Sequence, residues 1–309
     1  RAERNRLSKE CAKDPSARDK VKQLKEVLSS KEEMLARIQN KIHQVVIRMP
    51  NMLAPDVPDG LDDSGNVELR KEGTIPTFDF KVRDHQELGE LLGILDIPRG
   101  TKVAGAGFYY WKGKGAMLAQ ALYFWVQRVL VERGFTMFMT PCVAKERTLF
   151  GTGYPPFFAD QTYNLEGEDL ALIGTSEQTL VGYHADDVLD GASLPLCYTA
   201  FTPCFRTEAG SSGKASRGIF RVHQFHKVEQ IVFCKPEDSV KYHEMCLANE
   251  EYILQQLGIP YHVVNVCVGD LGAPGGIVAG IAVPELLHPG EIVEDRRRLI
   301  VAGPHVEPP

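Results

Sequence analysis

The chain has 309 residues, 25% of them charged and 43% hydrophobic, and a formal net charge of −6. That length buries one large domain with an appendage, and the composition is ordinary for a globular protein. No apolar run approaches the roughly 18 residues of a membrane span, and seven scattered cysteines without a C-x-x-C pair argue against zinc spacing and a disulfide framework, which fits a reducing cytosol.

Residues 1–50 hold thirteen Lys/Arg against seven Asp/Glu, so a basic arm precedes a body carrying −12. A polyanion gripped by the arm and the solvated face of a coiled coil account equally well for that count. The chain opens on Arg1 rather than Met and reads as a fragment or a processed product. Arg1 to Glu10 looks like the end of a helix. Asp14 and Pro15 supply an N-cap and a first helical position. From there Val21, Leu24, Leu28, Leu35, Ile38, Ile42, Val45 and Met49 form a heptad seam, interrupted at Lys31 and stopped by Pro50. About 34 helical residues would reach roughly 50 Å. Heptads alone favour a dimerising coiled coil. Asn51 to Gly73 is a Pro/Gly/Asp-rich connector and the natural boundary. Gly115 to Arg133 is a mostly apolar helix capped by Gly134, its apolarity explained by burial in a core. Leu170 to Leu180 and Leu196 to Arg206 contain strands, Asp238 to Leu257 is an amphipathic helix, and Tyr261 to Val268 is a strand.

The most informative stretch is Phe205 to Glu229, FRTEAGSSGKASRGIFRVHQFHKVE. It reads as two strands joined by a Gly/Ser-rich loop carrying Lys214 and Arg217. Strand alternation places Arg206 and Glu208 together, and Arg221, His223, Phe225, Lys227 and Glu229 together, with Phe220, Val222 and Val228 turned into a core. Guanidinium for phosphate, an aromatic for a base and carboxylate for an amine suit a nucleotide. Duller readings compete: Arg206–Glu208 or Arg221–Glu229 as structural ion pairs, and Phe225 as core. His223 and His226 invite a zinc reading, yet alternation separates them, so no metal site is assigned. Ser211 and Ser212 lack a G-x-S-x-G setting. Neither a Walker A loop nor G-x-G-x-x-G occurs.

This run resembles motif 2 of the class II aminoacyl-tRNA synthetases, and in detail that of the seryl-tRNA synthetase family, through FRTEAGS, the loop and RVHQFHKVE. The resemblance extends from roughly Asn51 to Pro274. Gly134 to Pro141 resembles motif 1, Gly151 to Pro156 a GTG–Pro-rich segment, Gly174 to Glu177 the serine-recognition loop, and Gly269 to Pro274 a further signature. Phe78 to Leu95 resembles the family's opening segment, a strand and then a short helix. The implied fold is α+β, an antiparallel class II sheet flanked by helices, with an N-terminal antiparallel coiled-coil arm. The implied domains are a partial helical arm (1–50), a catalytic domain lacking motif 3 (51–274) and a divergent tail (275–309) in which two central strands are lost.

The resemblance also implies an activity. ATP and Mg2+ would activate L-serine to seryl-adenylate, and the seryl group would pass to tRNA(Ser), with tRNA(Sec) a second acceptor. Arg206 and Arg221 are the catalytic candidates: Arg206 bridges the α-phosphate and the serine carboxylate, and Arg221 holds the distal phosphates. Thr207, Glu208, Val222 and Phe225 complete the ATP site, Glu208 reading the adenine amino group and Phe225 stacking on the ring. Thr175, Ser176 and Glu177 join Arg206 and Glu229 around serine, Glu229 taking the ammonium. The arm would grip the tRNA, and the motif 1 region, the helix Gly115–Arg133 with the strand ending at Pro141, would form a homodimer in the cytoplasm, with neither DNA nor membrane as partner. Two rivals remain: a catalytically impaired synthetase-like protein that binds tRNA or a partner subunit, and a ligase that loads a carrier protein, which has no use for a basic arm.

Overall fold

The computed structural model describes residues 6, 17–209, 218–272 and 279–282. The chain divides into two units, Arg1–Met49 and Pro50–Pro309. In the first, the apolar seam winds into helix α1, Ala17–Val46, about 45 Å long. Asp19 in its first turn suits the helix dipole. Val21, Leu24 and Leu28 are half-buried, whereas Leu35, Ile38, Ile42 and Val45 are exposed. Turns from Arg48 N–H to Val45 and from Met49 N–H to Val46 close the end of the helix ahead of Pro50, which disfavours helical backbone before it. The expected start at Asp14–Pro15, and all of the preceding helix except Arg6, lie outside the described residues.

The second unit corrects the connector reading at once. Residues 51–73 contain strand β1, Val67–Glu72, every position of which is exposed. Its charges hide it from a search for apolar alternation, and they suit an edge strand that must not recruit another chain. Residues 78–84 form no strand: Phe78 and Phe80 pack on each other, ring centroids 5.1 Å apart, and only helix α2, His85–Leu91, follows. Asp84 caps α2 by accepting from Glu87 N–H at 2.8 Å. Strand β2 (Leu95–Asp96) runs into helix α3 (Ile97–Ala104), whose N-cap is Asp96, and pairs with β3 (Tyr110–Trp111).

Helix α4 (Lys114–Glu132) ends at Gly134, whose φ of +93° is a left-handed conformation open to glycine. Core burial explains only part of its apolarity. Val129 and Leu130 are buried, but Met117 is 71% and Phe124 is 64% exposed. Strand β4 (Thr136–Phe138) follows, then β5 (Val143–Ala144), α5 (Glu146–Gly151), β6 (Ala171–Leu172) and α6 (Glu177–Gly182).

Strands β7 (Leu196–Phe205) and β8 (Gln224–Phe233) form an unbroken antiparallel ladder from Leu196↔Phe233 to Phe205↔Gln224, and β4 lies parallel to β7. One face of this sheet packs Cys197, Val228 and Val232 with Leu130, Phe135 and Cys246. The other packs Tyr198, Ala200 and Ile231 around Leu180 at one end and opens towards the loops at the other. On that open end, β7 offers only small buried side chains, Ala200, Thr202 and Cys204, opposite Glu229, Lys227 and Phe225. Helix α7 (Ser239–Gln256) packs Leu247 and Leu254 on Tyr261 and Val263 of β9 (Tyr261–Asn265). A second sheet has the order β1–β9–β10, where β10 is Ala279–Ala282. The segment after Pro274 thus adds a strand to a sheet. Among the described residues no helix is long and apolar enough to cross a membrane.

Candidate active site

The hairpin puts fewer residues on one pleated face than alternation suggests. The ladder ends at Phe205 and Gln224, so Arg206, Glu208, Arg221 and His223 lie beyond it. Arg206 N–H still donates to His223 C=O at 3.0 Å, but Thr207 N–H turns away to Gln161 C=O at 3.1 Å. Phe225, Lys227 and Glu229 remain on the β8 face. The other groups are positioned by turns. Phe220 is a further correction: it is 55% exposed, edge-on to His85, and is not core. Val222 is buried, so it can offer a nucleotide only its backbone.

The structure nonetheless brings most candidates together. The Arg206 guanidinium lies over the Phe225 ring, 5.2 Å from its centroid, and its Nε donates to Gly174 C=O at 3.4 Å. Arg221 donates to the Glu208 carboxylate at 2.9 Å, and Glu208 adopts φ +52°. Those two side chains, read as ligands for opposite ends of ATP, hold each other across the base of the loop. Thr207 Oγ1 donates to Asp160 C=O at 2.6 Å and ties the turn to a neighbouring loop. Lys214 and Arg217 lie outside the described residues. His223 packs near Phe108 and Tyr163, while His226 stacks on Phe201 at 5.5 Å, so the two imidazoles meet different neighbours.

Next to Arg206 lies a second, drier cluster. Thr175 and Ser176 are fully buried at the start of α6. Glu229 Oε2 accepts from Thr175 Oγ1, from Ser176 Oγ at 2.7 Å and from Glu177 N–H at 3.0 Å. Its Oε1 accepts from Lys227 Nζ at 2.7 Å, and Lys227 also reaches Thr175 Oγ1 at 2.6 Å. Burial alone would raise the Glu229 carboxyl, but the Lys227 ammonium and the two hydroxyls overcome it and hold the group below its ordinary range. Glu177 behaves oppositely. Burial, reinforced by the negative charge of Glu229, pushes its carboxyl up to about 8, with Lys227, Arg206 and a hydrogen bond from Tyr154 opposing the shift.

Sequence reasoning placed Lys227 on the right face but gave it no task, although its alternation with Glu229 was a usable signal. Tyr154 was only part of a Pro-rich segment. Its phenol is raised well above its usual value by burial and by the charge of Glu177, which puts it in the same cluster. No local pattern points to either Tyr154 or His85.

A carboxylate locked by four donors, a second carboxyl with no ion pair among the described residues, and an arginine between this pocket and an aromatic ring together suit an amino acid beside a nucleotide. The tRNA synthetase class II core domain (G, H, P, S and T) model matches residues 161–293, past the point at Pro274 where the motif-by-motif likeness stops. The chain is 44% identical to the Serine--tRNA ligase of Treponema denticola over 257 residues, 83% of this chain and 61% of that one. It superposes on the seryl-tRNA synthetase of Pyrococcus horikoshii, crystallised with ATP, with a TM-score of 0.84 at 35% identity, covering 93% of this chain and 70% of that one. The chain belongs to the seryl-tRNA synthetase family. A cytoplasmic Serine-tRNA ligase of Naegleria fowleri, in complex with AMP, gives a TM-score of 0.81 at 28% identity over 90% of this chain and 61% of that one. This seryl-tRNA synthetase chain spans about three-fifths of the length of the Treponema relative, and its fold is the class II fold, a mixed helix-and-sheet unit built on an antiparallel hairpin.

Proposed function

We propose that the chain activates L-serine with ATP and passes the seryl group to tRNA(Ser), with tRNA(Sec) a further acceptor. The observation that carries this reading is the adjacency of Arg206 over Phe225 to the hydrogen-bonded Thr175–Ser176–Glu177–Glu229–Lys227 cluster. The serine carboxylate is already ionised and needs no general base to attack the α-phosphorus. The barrier lies in bringing two anions together and in the charge growing on the phosphoryl oxygens. Arg206 stands between the two subsites and would meet both anions. Phe225 would take the adenine ring. Glu208 and Arg221 would exchange their mutual pairing for the adenine amino group and the distal phosphates. Mg2+ would enter on the ATP phosphates, keeping several waters as it usually does.

The ammonium of serine finds Glu177 rather than Glu229. Glu229 is already paired with the Lys227 ammonium, whereas a cation beside Glu177 would relieve the penalty of charging it. The exposed face of α4 and Met139 supports a homodimer, and the basic composition of residues 1–50 supports tRNA contact by α1. Both belong to a cytoplasmic translation enzyme. Serine-dependent exchange of pyrophosphate into ATP tests the proposal. Exchange should require serine and fall roughly 10²- to 10³-fold in Arg206→Ala. A chain that binds ATP yet shows no exchange would instead be a binding protein of synthetase descent.

A further inference from the structure

The segment that returns from the loop into β8 carries Arg221, and it is fixed at two points on either side of that residue. On the far side, His223 N–H donates to Gly107 C=O at 3.0 Å and His223 Nδ1 meets Arg206 C=O at 3.0 Å. On the near side stands His85, the first residue of α2. Its Nε2 accepts from Ile219 N–H at 3.0 Å, and its ring meets Phe220 edge-on at 4.4 Å between centroids. The fit leaves no room for a side chain at Gly218, which has φ +73°: a Cβ there would fall 1.9 Å from His85 Nε2. The partner helix is itself held, because Asp84 caps it through Glu87 N–H and Gly89 packs within reach of Leu95.

We infer that His85 is a positioning residue for ATP: by seating the Gly218–Phe220 backbone it sets where the Arg221 guanidinium points. The inference rests on reading Arg221 as a phosphate ligand. His85 touches neither ATP nor serine. Its influence runs through one backbone hydrogen bond and one ring contact, two residues and one residue short of Arg221 in the chain. The serine cluster is built on α6 and β8 and shares none of these contacts, so the effect should fall on one substrate only.

The test compares the full chain with its His85→Phe and His85→Gln variants. Phenylalanine keeps a ring against Phe220 but cannot accept a hydrogen bond. Glutamine supplies an amide oxygen at about the reach of Nε2. In calorimetric titrations His85→Phe should weaken ATP roughly fivefold, the effect of one net hydrogen bond, and leave serine unchanged. Amide exchange at Ile219 should accelerate on the order of tenfold in the same variant, because its acceptor is gone. Glutamine should restore both to within about twofold of wild type. Equal exchange at Ile219 in wild type and His85→Phe, equal weakening of ATP and serine, or no recovery in His85→Gln would each overturn the inference. Wild-type chain that binds no ATP would overturn the nucleotide reading instead, and exchange at Ile219 would still decide whether His85 seats the segment.

Discussion

Two glutamates in one pocket are held at opposite ends of their titration range, and the difference lies in their partners. Glu229 is surrounded by donors and stays ionised. Glu177 is buried beside that charge and keeps its proton up to about pH 8. Unfolded, Glu177 would lose the proton near 4.5, so the folded chain binds the extra proton between these values and stability falls as pH rises through that window. Glu177→Gln should remove this slope, worth at most about 1.4 kcal/mol per pH unit, and should abolish serine-dependent exchange. Denaturant melts at pH 5 and pH 8 would measure it: the advantage of the variant should widen towards pH 8, and an equal advantage at both would refute the assignment. Serine affinity should likewise improve as pH rises towards 8, since binding the ammonium must first expel the Glu177 proton. The motif named Thr175, Ser176, Glu177 and Glu229 and gave the ammonium to Glu229; it did not foresee the opposite protonation of the two carboxyls. That difference depends on which donors converge on Glu229, and three of them come from a turn 52 to 54 residues away in the chain.

The strands of the hairpin were legible because alternation of side chains over ten residues is a strong pattern. Their ends were not. Continuing the alternation through Arg206–Glu208 and Arg221–His223 assumed that the ladder persists, whereas Thr207 N–H goes to Gln161. A backbone donor leaving for a distant loop has no local signature. Similarly β1 was missed because its six residues are exposed on both faces. The hairpin also carries a correctable flaw. Thr199 on β7 is fully buried and its hydroxyl finds no partner among the described residues. Thr199→Val keeps the branched shape favoured in strands and removes an unsatisfied group. It should stabilise the chain by about 1 kcal/mol, or raise Tm by about 2 °C, in a thermal melt. A lower Tm would mean that the hydroxyl has a hidden partner.

For the molecule as a whole, the resemblance pointed to the helix Gly115–Arg133 and the strand after it as a shared face, and the structure leaves part of that helix's apolar surface open. Met117, Leu118 and Phe124 stand out from α4, and Met139, just beyond β4, is 96% exposed. Exposed large apolar residues repeated along one helix are what an interaction face would show. Under the homodimer proposal, Phe124→Glu combined with Met139→Lys should convert a dimer into a species of 34.3 kDa in sedimentation, with the helix content unchanged. Unaltered sedimentation would place the contact elsewhere. Periodicity gave the apolar helix correctly. It could not tell a face that meets the core from one that meets another chain, since both demand the same side chains.

The exposed strand β1 also bears on synthesis. Its ladder joins Val67 to Asn265 and Glu72 to Tyr261, partners nearly 200 positions later in the chain. At ribosomal rates of about 5–20 residues per second, β1 waits roughly ten to forty seconds for β9 to emerge. A greasy strand left alone that long would invite misassembly. The four charged residues of VELRKE let it wait in water.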